Sequence, residues 1–243
     1  MKSGTKGIGK GARAVAGFAL LMAAPLASAD ILYEQEAPAD GGGALLTGEN
    51  LGYELQYADA FEVTGPGWRV DSISWWGGFS ALNGPGGDAA PFDIQIYIDE
   101  GGAPSPTETV ASFEEVEPEV AGTGLTGDLS LGLSDNPALH IDVQQFTLEL
   151  QSPLALDTGR YYLGVNNPGS NVTFNWLMSH PAETGAWFRT GNPSDWIAQE
   201  YNFAYNLTGR VIPEPATLTL LGIGVAGLGL RRWRRRGGCC GAQ

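Results

Sequence analysis

The stretch "PFDIQIYID" (Pro91 to Asp99) alternates apolar and polar residues, and no other feature constrains the fold of this chain as much. Phe92, Ile94, Ile96 and Ile98 fall on one face, with Asp93, Gln95, Tyr97 and Asp99 on the other, as in a half-buried β-strand. It runs into "DEGGAPSP", where φ-permissive glycines and φ-fixing prolines build a turn. Shorter runs of the same kind recur between Gly, Pro, Asn and Asp clusters. "QFTLEL" places Phe146, Leu148 and Leu150 together, and "RYYLGV" does the same for Tyr161, Leu163 and Val165. "NVTFNWLM" alternates Val172, Phe174, Trp176 and Met178, and "NFAYNLTGRV" supplies Phe203, Tyr205 and Leu207. "YELQY", "WRVDSISWW" and "FEEVEPEV" are further strand candidates. Nothing between Asp30 and Ile212 sustains a helical period. The pattern predicts an all-β fold, an antiparallel β-sandwich, with jelly-roll and immunoglobulin-like arrangements both open.

Two stretches refine this. "LALDTGRYYLGV" carries Asp157, Gly159, Tyr161 and Leu163 at the spacing of a tyrosine corner, in which a Tyr hydroxyl pins the loop entering a strand. In "FEEVEPEV", Glu115, Glu117 and Glu119 share one face and Pro118 lacks a ladder donor, which predicts an edge strand guarded by charge. A calcium-binding acidic strip is the sharper alternative there.

Gly and Pro are abundant, yet 22 of the chain's 24 aromatic residues lie between Asp30 and Ile212, far too many for a disordered segment. The same stretch holds four arginines (Arg69, Arg160, Arg189, Arg210) against 26 acidic residues, a formal charge of −22 that the chain total of −14 conceals. Such a polyanion repels nucleic acid and anionic lipid unless divalent cations intervene, so no nucleic-acid partner is expected. It also holds no cysteine, so no disulfide framework supports it.

The remaining cations sit at the two ends. Lys2, Lys6, Lys10 and Arg13 precede the apolar run "AVAGFALLMAA", and Ala27-Ser28-Ala29 offers small residues at the cleavage positions Ala27 and Ala29. Residues 1–29 therefore read as a signal peptide removed by signal peptidase, which exports residues 30–210 as one β domain. At the other end, Pro213-Glu214-Pro215 precedes fifteen uncharged residues, Ala216 to Leu230, then Arg231, Arg232, Trp233, Arg234, Arg235 and Arg236. As helix the uncharged run spans about 22 Å, short of the roughly 30 Å hydrocarbon core of a bilayer. Its flanks favour a single transmembrane helix all the same. The prolines stop it upstream, and the arginines act as a stop-transfer cluster that snorkels and stays on the cytoplasmic side.

Pro-Glu-Pro, an apolar segment and an arginine cluster, in that order, resemble the PEP-CTERM sorting signal of Gram-negative bacteria, here over residues 211–236. The resemblance implies a temporary anchor, recognised at Pro213, Glu214 and Pro215 by an exosortase-type membrane protease. It also implies an inner-membrane precursor whose product ends outside the cell or on its surface, in the setting of exopolysaccharide and biofilm. Residues 237–243 would form a cytoplasmic tail, with Cys239 and Cys240 as inert thiols in a discarded stub. The order of "WWGGF", "PFDIQIYIDEGGAPSP" and "LALDTGRYYLGV" is also similar, more loosely, to β domains that precede such tails.

Catalytic signals are sparse. The two histidines, His140 and His180, join no His/Cys cluster with metal spacing, and no nucleophile elbow, P-loop or dinucleotide fingerprint occurs. No enzyme activity, resident metal or cofactor is therefore expected, with Ca²⁺ the one ion kept open. A carboxylate-pair glycosidase or lyase stays formally open, because 26 acids guarantee pairs at the required separation. The main expectation is a non-catalytic exported protein associated with an exopolysaccharide matrix. The alternative is a glycan-binding module. Trp75 and Trp76 are adjacent in a strand and must face opposite ways, so one can stack on a sugar ring. Trp187 and Trp196, near Arg189, form a second candidate platform.

Overall fold

A computed structural model describes residues 29–37, 44–47, 55–80, 91–128, 140–168, 173–179, 185–190 and 195–212. Residues 1–28, where a signal peptide is expected, His180, and the sorting tail from Pro213 with its expected helix lie outside the described residues. Among the described residues every regular element is a strand, and the strands pair antiparallel in two sheets.

The eight-stranded sheet is organised around the 13-residue β4 (Trp68–Ser80). β8 (His140–Leu156) runs along one of its edges, with β7 (Glu119–Asp128) outside it. The other edge is shared by β14 (Tyr205–Val211) and β10 (Thr173–Ser179). β1 (Asp30–Gln35) lies outside β14, and β10 also pairs with β2 (Ala44–Thr47) and β13 (Asn202–Phe203). The six-stranded sheet has the order β12 (Ile197–Ala198), β11 (Ala186–Thr190), β3 (Leu55–Val63), β9 (Gly159–Asn166), β5 (Phe92–Glu100), β6 (Ala103–Val116).

The inward-facing residues of both sheets form one cluster, as the period-2 pattern requires. Phe92 of the six-stranded sheet is its cross-sheet hub. Its ring centroid lies 5.2 Å from Trp75, 5.2 Å from Phe146 and 4.9 Å from Phe174, all in the opposite sheet. Such tilted and edge-on aromatic pairs add to the burial of large apolar area. Most of the expected inward residues are found there, with Leu148, Leu150, Tyr161 and Met178 only partly buried at the cluster's margin. Ile98, near the end of β5, is half-buried outside the cluster, and Val172 lies outside the described residues.

The tyrosine corner is formed as well. The Tyr161 hydroxyl donates to the Asp157 carbonyl at 3.1 Å, fixing the turn between β8 and β9. "FEEVEPEV" differs from expectation. It is not one strand: β6 ends at Val116, Glu117 and Pro118 are irregular, and β7 begins at Glu119. The chain crosses here from the six-stranded to the eight-stranded sheet, and the missing proline donor falls where no ladder continues. The edge assignment holds for both pieces, since among the described residues β6 pairs only with β5 and β7 only with β8.

The two ends of the molecule differ. At one end lie the Thr64–Gly67 turn between β3 and β4, the Gly101–Gly102 turn between β5 and β6, and the Asp157–Thr158 turn between β8 and β9. β1 begins and β14 finishes at this same end, since Asp30 is opposite Gly209 and Val211 is opposite Trp68. β4, β7 and β9 finish, and β5, β8 and β10 begin, at the other end.

Phe92→Ala is expected to cost about 3–5 kcal/mol in chemical denaturation, whereas Tyr161→Phe, which removes one partly exposed hydrogen bond, costs about 1 kcal/mol. Equal losses would contradict Phe92 as the hub of the core.

Candidate functional site

The exit of β14 is built by close backbone approach. Tyr205 and Leu207 point into the core, and the register with β4 shifts between Thr208 and Gly209. At Gly209 a Cβ would stand 2.0 Å from the Arg69 carbonyl oxygen, so only glycine lets the two strands meet there. Arg210 then pairs with Arg69 and Val211 with Trp68, and the Ile212 amide donates to the Gly67 carbonyl at 2.9 Å. Gly67 has φ 107°, and a Cβ there would be 2.7 Å from the Leu156 carbonyl oxygen, so the turn that receives Ile212 also requires glycine. The body is thus hydrogen-bonded up to the residue before Pro213.

A second feature lies on the outer face of the six-stranded sheet. Tyr97 and Tyr162 are directly opposite one another there, buried on the side away from the core, with Ala58 of β3 in the same cluster and Trp187 and Trp196 packed against it. The Arg189 guanidinium lies 4.5 Å from the Trp196 ring centroid and 5.6 Å from that of Tyr97. It donates to Gln56 Oε1 at 2.6 Å and to the Pro106 carbonyl at 2.9 Å. Its charge is thus met by π faces and neutral acceptors, and it forms no ion pair among the described residues. Arg160 stands 5.4 Å from the Tyr162 ring centroid, and the Tyr162 hydroxyl donates to Asp99 Oδ1 at 2.7 Å. Burial and that bond to Asp99 push the Tyr162 hydroxyl well above the ordinary tyrosine range. The indole N–H of Trp196 is buried without an acceptor among the described residues.

The four candidate tryptophans do not form one site. Trp75 is completely buried between the sheets, stacked on Phe146 at 5.7 Å and met edge-on by Phe92, so neither of its faces is open to a sugar. Trp76 turns to the outer face of the eight-stranded sheet and is half-buried against Val143, Leu177 and Ala204. Trp187 and Trp196 share the opposite outer face, as their proximity to Arg189 in sequence suggested. The acidic strip is divided, with Glu115 in β6 and Glu119 in β7, and among the described residues no three His, Cys, Asp or Glu side chains converge.

Three participants were not singled out from the sequence. Tyr97 and Tyr162 sit on the nominally polar side of their strands. The adjacent pair Tyr161-Tyr162 already carried that signal, because neighbours in a strand must serve opposite faces. The third is Asp59, in phase with Tyr57 and Phe61 and therefore inside the core. It accepts from the Ala60 amide at 2.7 Å and from the Phe203 amide, and the Gln35 side chain, with its amide turned to suit its neighbours, donates to it at 2.9 Å. Burial nevertheless dominates and pushes its carboxyl up to about 7.

A family model described as the PEP-CTERM protein-sorting motif matches residues 211–236. The chain carries a PEP-CTERM sorting signal. The match begins at Val211, the last residue of β14, so no linker separates the sheet from the PEP-CTERM segment. The motif implies handling by an exosortase-type system, with export and a membrane-anchored precursor processed to the cell surface. No curated protein matches the chain.

Asp59 makes stability pH-dependent in a set direction. Its folded pKa of about 7 lies above the ordinary carboxylate value, so its contribution is complete below about pH 4, is lost as pH rises to 7, and is flat beyond. The stability difference between wild type and Asp59→Asn should therefore fall by on the order of 4 kcal/mol across that window. A pH-independent difference in urea titrations would mean that Asp59 stays ionised in the fold.

Proposed function

We propose that residues 30–210 form a non-catalytic cargo domain. An exosortase-type protease frees it from its temporary membrane anchor at the Pro213-Glu214-Pro215 element, and it then resides on the cell surface in association with an exopolysaccharide matrix. The observation that carries this reading is the continuity of β14 with the sorting motif: a folded body leads straight into a recognition element and an arginine-terminated apolar run. A signal peptide ending at Ala29 supplies export, and Arg231 to Arg236 hold the tail's end in the cytoplasm. Deleting Pro213 to Pro215 should leave the full-length precursor in the inner-membrane fraction. Release of the deletion product at the wild-type rate would sink the reading.

One observation favours a second role, sugar contact by the outer face of the six-stranded sheet. There Trp187 and Trp196 pack side by side over Tyr97 and Tyr162, and both are only half-buried. Aromatic faces match the C–H faces of sugar rings. On a glycan array, Trp187→Ala should abolish any sugar-dependent signal while Trp76→Ala leaves it intact. The reverse order would move the site to the other sheet.

A further inference from the structure

We propose that the end of the domain formed by the Thr64–Gly67 turn and the finish of β14 is an interaction surface for phospholipid headgroups, on which the anchored precursor rests. This builds on the reading of residues 216–230 as the membrane segment. Ile212 is held to Gly67 by its amide, and only Pro213, Glu214 and Pro215 separate it from Ala216, where the uncharged run begins. Four Cα steps reach at most about 14 Å. The headgroup layer takes up roughly 5–8 Å of that on each side of the hydrocarbon core. Because the fifteen-residue run falls short of the core thickness, Pro-Glu-Pro is itself drawn toward the interface, shortening the gap further. A folded sheet tied this closely cannot turn its other end to the bilayer.

The side chains at this end are mixed, since Asp30, Glu62, Asp71, Asp99, Glu100 and Asp157 lie here too. The contact rests on the short tether, the exposed apolar residues and the local arginines rather than on the net charge of the end. Ile31 and Val211 are 57% and 51% exposed, unusually open for large apolar residues, and Pro66 projects from the turn between them and the Asp157–Thr158 turn. Three of the four arginines between Asp30 and Ile212 lie here, all exposed: Arg69, Arg210 and Arg160. Arg69 and Arg210 are directly opposite one another across β4 and β14, a like-charge pairing that is unfavourable without an anion nearby. Asp71 meets Arg210 at 3.5 Å and Glu62 lies opposite Arg160, whereas Arg69 has no ion pair among the described residues. Headgroup phosphates accept from guanidinium groups and complete the set. β1 also begins at this end, so a signal peptide preceding Asp30 would leave toward the same membrane as the tail.

The test uses the full chain with Cys239→Ser and Cys240→Ser, reconstituted in phosphatidylethanolamine/phosphatidylglycerol vesicles containing a headgroup-nitroxide lipid. A fluorophore is placed at Thr64→Cys or Pro66→Cys at this end, and at Thr126→Cys near the other, all three exposed positions. The expected result is co-flotation with the vesicles and several-fold stronger quenching at Thr64 and Pro66 than at Thr126. Co-flotation with equal quenching, or stronger quenching at Thr126, overturns the orientation and leaves the anchoring intact. Failure to co-float overturns the anchoring and the proposal with it.

Discussion

β14 is clamped between β4 and β1, and that clamp determines how the rest of the molecule relates to its surroundings. On its inner side Tyr205 and Leu207 contribute to the shared core, where Trp176 stacks on Phe203 at 4.4 Å. On its outer end the same ladder carries the chain to Ile212 without slack. A sorting signal attached through a loop would leave the cargo free to tumble above the membrane. Here the motif follows a strand paired on both edges, so the body is held in the sheet up to Ile212. Two glycines, Gly67 and Gly209, permit the close backbone approach on which this join depends.

Much of the fold was legible in the sequence because β structure writes its faces in alternate residues. "PFDIQIYID" gave a strand and most of its core face, and Asp157 to Tyr161 gave a corner whose hydrogen bond is present. "NFAYNLTGRV" gave the core residues Phe203, Tyr205 and Leu207 but not the break at Ala204 between β13 and β14. Pairing partners were not legible, since any alternating strand can lie beside any other, and here β3 and β9 pair across almost a hundred residues. The break in "FEEVEPEV" escaped because alternation continues through Glu117 and Pro118 even though the hydrogen bonding changes sheet there.

The candidate sites divide along the same line. The sorting signal is a linear motif, and it was read at the residues the family model matches. A surface platform depends on which face of which sheet stays uncovered, information that no single strand contains. Trp75 and Trp76 show this well. Their opposition was certain from adjacency, but only the structure shows Trp75 enclosed by Phe92 and Phe146. Asp59 is the converse case: its phase with Tyr57 and Phe61 announced burial, while its partners come from β1 and β13, far away in sequence.

The most direct test of the account is peptide mapping of the protein recovered from the outer surface of cells that make the full chain. A disposable anchor predicts continuous coverage from Asp30 through β14 and no peptide from residues 217–243. Surface protein that retains the arginine cluster or the Cys239-Cys240 terminus would contradict it.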